Sequence, residues 1–103
     1  MAELGILYWR DIPAQVVAKA GRKQARRELD PRFQEAIDRA AMGAGLAGTD
    51  AYLEAWRRGA PEPCGDDLEA EVRALVGRLE AELTPARLAA LVKAGGSTEA
   101  AGG

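Results

Sequence analysis

The chain contains no histidine and only one cysteine, Cys64. Without an imidazole it cannot assemble a Ser-His-Asp or Cys-His nucleophile system, and with one thiol it cannot close a tetrahedral zinc site of Cys and His. A lone cysteine also excludes an intrachain disulfide. No run approaches the ~18–20 apolar residues needed to span a bilayer, and the chain does not begin with a basic segment followed by a long apolar stretch. A reduced, soluble, cytoplasmic protein without membrane contact is therefore expected. Aromatic residues make up 5% of the chain, so where they fall is informative. None lies between residues 10 and 32, which hold half of the basic residues.

The 103 residues suit one domain, which buries roughly two thirds of the surface its unfolded chain exposes. One domain is expected over residues 1–94, followed by a disordered Gly/Ala-rich tail at 95–103. The net charge of −2 does not point to nucleic acid or membranes, but its distribution is uneven. Lys19, Arg22, Lys23, Arg26 and Arg27 cluster without an acid, whereas residues 60–103 carry twice as many acids as bases.

Residues 3–12 read as a central strand. Leu4, Ile6 and Tyr8 alternate with Leu7 and Trp9, so both faces are partly apolar. Pro13 cannot donate to a ladder and marks the turn, after which a second strand spans 14–20. The alternation Ala25, Arg27, Leu29 predicts a third strand over 22–29, with its charges protecting an edge; helix is the alternative there. Asp30 as N-cap, Pro31 at the first helical position and the stripe Phe33, Ile37, Ala40, Ala41, Ala44 predict a helix over 31–44, closed by Gly45. Residues 51–58 read as a short amphipathic helix with Tyr52, Leu53 and Trp56 on one side, a strand being the runner-up. Pro61 and Pro63 predict a loop. Asp66 and Glu69 then open a long helix over 66–83, and Thr84-Pro85 ends it and starts another turn or two. The expected fold is α+β: a small three-stranded, mainly antiparallel sheet packed on one face against two main helices.

The chemistry-bearing groups are few. Gly43, Gly45 and Gly48 follow a helix instead of a strand and lead to no Lys-Ser or Lys-Thr pair, so they do not form a phosphate loop. Cys64 lies among Glu62, Asp66 and Asp67, which raise a thiol pKa and make it an ordinary loop thiol. The acids Asp66, Asp67, Glu69 and Glu71 read as a solvated helix start, so no metal and no cofactor is expected. No catalytic residue is assigned. In Tyr8-Trp9-Arg10-Asp11 the aromatics are either strand packing or, with Arg10, an anchor for a protein partner, since Trp, Tyr and Arg dominate interface hot spots. Trp56-Arg57 is a second such cluster, and the case for binding strengthens if both share a surface. The run Lys19, Arg22, Lys23, Arg26, Arg27 is either a solvated edge strand or an anion site. Nucleic acid is disfavoured there because no aromatic is interleaved for stacking.

Three blocks, Tyr8-Trp9-Arg10-Asp11-Ile12-Pro13-Ala14-Gln15-Val16, Phe33 to Met42, and Ala51 to Arg58, resemble the small bacterial domain family called "virulence factor", also found as a segment of conserved virulence factor C proteins. The similarity covers about residues 3–83. The family label describes a phenotype and implies no catalytic residues. The resemblance implies genomic company with corrinoid-dependent methyl-transfer and methylenetetrahydrofolate-reductase-like genes. It therefore implies a non-catalytic accessory module in one-carbon metabolism, partnered by a methyltransferase or reductase subunit. The alternative is a small anionic-ligand or nucleic-acid binder using residues 19–27; an enzyme acting alone is the least supported class.

Overall fold

A computed structural model of the chain describes residues 2–96. Its first half is a meander of three antiparallel strands, β1 (Glu3–Trp9), β2 (Ile12–Ala20) and β3 (Lys23–Glu28). Helix α1 (Pro31–Gly43) follows. A one-turn helix α2 (Asp50–Glu54) leads into β4 (Trp56–Arg58) and β5 (Glu62–Pro63). Helices α3 (Leu68–Glu82) and α4 (Pro85–Lys93) complete the fold. The sheet order is β3-β2-β1-β4, with β5 pairing farther along the same edge of β1, and every pairing is antiparallel.

The α+β class is as expected, but the sheet has more than three strands. The difference lies at the free edge of β1. The helix expected over 51–58 stops at Glu54, and Trp56, Arg57 and Arg58 pair with Trp9, Tyr8 and Leu7. An unpaired edge leaves backbone donors and acceptors that need partners, and an aromatic residue suits a pleated surface at least as well as a helix. The Gly59 amide extends this ladder to the Ile6 carbonyl at 2.8 Å. Glu62 and Pro63, expected in a loop, pair with Leu4 and Glu3; proline is tolerated there because the strand is an edge.

The first hairpin also turns earlier than Pro13. Trp9 faces Ile12 across a two-residue turn, Arg10-Asp11, and Pro13 lies inside β2. The register shifts between Leu7 and Tyr8, which face Gln15 and Pro13, leaving Ala14 as the extra residue of a bulge. A bulge is one of the few places a sheet accepts proline. The Ala14 carbonyl is not left without a donor, since it receives the Leu29 amide at 3.0 Å.

Helices cover one face of the sheet. α3 lies over β2 and β3, and α1 packs between β2 and α4. Trp9, Ile12, Val16, Phe33, Ile37 and Val72 are almost fully enclosed between these layers. Each such side chain contributes about 1.5–3 kcal/mol by leaving water. The buried side of α1 includes Ala36, Ala40 and Ala41, whose small side chains allow close approach. Asp30 caps α1 by accepting the Arg32 amide at 3.0 Å, and Gly45 follows the helix with φ of 72°. Arg32 donates to the carbonyls of Glu80 and Leu83 at 2.6 and 3.2 Å, placing a cation on the C-terminal turn of α3, where the helix dipole favours one. The packed domain continues two residues past the expected boundary, through Gly95 and Gly96. The rest of the expected tail lies outside the described residues.

Candidate functional site

The pairing of β1 with β4 sets the two Trp/Arg segments side by side. Trp9 faces Trp56, and Tyr8 faces Arg57. Arg57 binds the hairpin turn in two ways: its Nε donates to the Arg10 carbonyl and its Nη2 to Asp11 Oδ1, both at 2.9 Å. Its guanidinium also lies 4.5 Å from the centre of the Tyr8 ring, a contact suited to its planar, delocalised charge.

Arg10 occupies the turn with φ of 53°, the one non-glycine positive φ among the described residues. That conformation costs a residue with a Cβ about 1–2 kcal/mol, so the surroundings must hold it. Its amide donates to the Ala55 carbonyl at 3.0 Å, its Nη1 to the Gly95 carbonyl at 2.7 Å, and its guanidinium lies 5.2 Å from the Trp9 ring centre. The Asp11 amide donates to the Gly96 carbonyl at 2.8 Å. The chain after α4 is thereby fastened to the first hairpin.

Trp9 itself has no exposed surface. Its Nε1 donates to the Tyr52 carbonyl at 2.9 Å, satisfying its one polar group. The ring of Tyr52 packs on it at 5.7 Å, and Trp56 meets Tyr52 edge-on at 6.3 Å. As a contact residue Trp9 is therefore corrected: it supports the surface from beneath and cannot touch a partner. The half-buried Tyr8, Arg10, Asp11 and Trp56 and the exposed Arg57 make the surface itself. Tyr52, not singled out from the sequence as a contact, packs against Trp9 and Trp56, and Leu53 follows it on the same short helix. Leu53 is 65% exposed, and the signal available for it was the apolar side of residues 51–58, which the short α2 leaves uncovered.

The basic run is not one surface. Arg22 sits in the β2–β3 turn. The register puts Arg26 opposite Val17 on the open face, while Lys23 and Arg27 fall opposite Ala20 and Val16 on the helix-covered side. Lys19 and Arg26 alone share the open face.

Cys64 is half-buried and its thiol pKa is raised, first by loss of solvent and then by the charges of Glu71, Asp66 and Glu3. A thiol so placed is a weak nucleophile at neutral pH. Among the described residues no three His, Cys, Asp or Glu side chains are grouped so as to hold a metal ion. None of the helices described is long and apolar enough to cross a membrane.

The sequence pattern of the family described as Virulence factor matches residues 7–92. The chain belongs to the virulence factor family. The match takes in the hairpin turn, β4 and nearly all of α4, so the patch lies within this virulence factor domain. No curated protein and no solved structure matches the chain.

Proposed function

We propose that this virulence factor domain is a non-catalytic accessory module that binds another protein through the surface of Tyr8, Arg10, Asp11, Trp56 and Arg57. One observation carries the reading: two sequence-distant Trp/Arg segments become adjacent strands, so Arg57 meets Tyr8 and the Arg10-Asp11 turn while Trp56, the adjacent residue of the same strand, packs edge-on against Tyr52. Trp, Tyr and Arg are the residues that dominate interface energetics. Here Arg10 and Arg57 are already fixed by carbonyls and a carboxylate, so little side-chain entropy remains to be lost on docking. The family resemblance supports a cytoplasmic partner from corrinoid- and folate-dependent one-carbon metabolism, a methyltransferase or reductase subunit.

The test is a pull-down from the native cell extract, at low and moderate salt, comparing wild type with Trp56→Ala/Arg57→Ala. The wild type is expected to retain a methyltransferase or reductase subunit at both salt concentrations. The double variant is expected to lose most of it while its circular dichroism is unchanged. Equal retention by both forms sinks the assignment of the surface. Nucleic acid that washes off with salt would transfer the case to the basic residues.

A further inference from the structure

The sheet is covered by helices on one face only. On the other, Gly5 and Leu7 of β1 and Val17 of β2 floor a shallow depression of about 310 Å³, the lower end of the size range of small-ligand sites. The register fixes the charges around it. Val17 lies opposite Arg26 of β3, and Leu7 opposite Arg58 of β4, so the two arginines flank the apolar floor from opposite sides. Lys19, two residues along β2 from Val17, lines the same face. None of these three cations has an ion pair or side-chain hydrogen bond among the described residues, whereas Arg10, Arg32 and Arg57 all do. Glu3 is the one acid in the lining, so three cations less one anion leave the depression positive.

Gly5 is an independent sign. In the middle of a central strand, glycine forfeits about 0.5–1 kcal/mol relative to alanine. Nothing in the chain requires it there: its φ is not positive, and an added Cβ would meet no atom within 4 Å. Since Gly5 belongs to the floor, that Cβ would enter the depression itself. A glycine inside a strand often marks a point where a ligand or another backbone comes close.

The geometry points to a binding site for a small, flat, apolar-bodied anion, such as an aromatic carboxylate or sulfonate. The ring lies over Gly5 between Val17 and Leu7. Arg26 and Lys19, diagonal neighbours on adjacent strands, hold the acidic group, and the Arg58 guanidinium closes the opposite side. The site is separate from the proposed protein-binding surface and does not depend on it.

The probe is naphthalene-2-sulfonate, titrated into the isotopically labelled full chain and followed by amide chemical shifts, with the neutral naphthalene-2-sulfonamide as comparator. Saturable shifts are expected at Gly5, Leu7, Val17 and Arg26, with the sulfonamide about tenfold weaker, as loss of a charge-assisted contact predicts. Gly5→Ala is expected to weaken binding about tenfold while the thermal midpoint holds or rises. Arg26→Gln, on an exposed edge strand, is expected to weaken it similarly and keeps the question answerable if Gly5→Ala misfolds. The proposal is overturned by no shifts up to the solubility limit, shifts clustered elsewhere, equal binding of the neutral probe, or undiminished binding by either folded variant.

Discussion

Arg57 and Arg58 are neighbours on one short strand, yet their circumstances are opposite. Arg57 is held by the Arg10 carbonyl, the Asp11 carboxylate and the Tyr8 ring. Arg58 lines the open face with no ion pair among the described residues. Successive residues of a strand point to opposite faces, so one step in sequence separates a tether from a free charge. The two regions are suited to different partners. A surface whose charges are already fixed can dock a protein with little further ordering. A free arginine must give up side-chain entropy on binding, which a ligand offsets by supplying the missing anion.

The comparison breaks most readily at the residue beneath the fastened end. Trp9→Ala is expected to cost about 3–5 kcal/mol, because a fully enclosed indole leaves a cavity and the Tyr52 carbonyl keeps only the longer bond from the Ala55 amide. Urea denaturation measures it. A loss below about 1 kcal/mol, the ordinary cost of a point mutation, would mean that this end is not the rigid one. Gly96→Val is the next largest. Gly96 has φ of 89°, and a Cβ there would lie 2.9 Å from Trp9 Cζ3. The expected loss is about 2 kcal/mol, from backbone strain plus overpacking.

Much of the fold was readable residue by residue, and the misses have a common cause. Helix α1 could be read locally because Asp30-Pro31 starts it and Phe33, Ile37, Ala40 and Ala41 mark its buried side. β3 could be read as an edge because Ala25 alternates with charges. Trp56 could not be placed this way. It stands three and four residues from Leu53 and Tyr52, which fits a helix, and a three-residue strand is too short to show its own period. What decides it is the unfilled edge of β1, far away in sequence. The same holds for Trp9: a strand apolar on both faces does not reveal which face the helices will cover. Gly96 falls within the tail expected from Gly95 onward because it has no side chain to bury. In the fold that absence is its use, since it lets the backbone pass against the indole. The patch was visible as two separate clusters, and only strand pairing joins them.

A smaller effect sharpens the contrast between the neighbouring arginines. Arg57→Ala is expected to cost about 1 kcal/mol, since its side chain is 49% exposed and its ion pair with Asp11 is correspondingly weakened by solvent. Arg58→Ala is expected to stay within about 0.5 kcal/mol. A double-mutant cycle with Asp11→Ala should give a coupling of about 0.5 kcal/mol for Arg57 and none for Arg58. Equal effects of the two single variants would erase the distinction between tether and free charge.

The smallest effect concerns reactivity, and it tests the charge around Cys64 at the start of β1. The open face is positive, but Cys64 looks toward Glu71, Asp66 and Glu3, whose charges disfavour the thiolate, as does its partial burial. A raised thiol pKa means less thiolate at any given pH below it, so alkylation at pH 8 by neutral iodoacetamide should be slower than for a free thiol in solution. The rate should keep climbing at higher pH, after the free thiol has levelled off. Iodoacetate carries a negative charge and should be slowed further by the same acids, about threefold relative to iodoacetamide at low salt, with the gap narrowing as salt is added. Glu71→Gln should narrow it as well. If iodoacetate reacts as fast as iodoacetamide, the acids do not set the potential at Cys64. The positive open face would then have no negative counterpart at that end of β1.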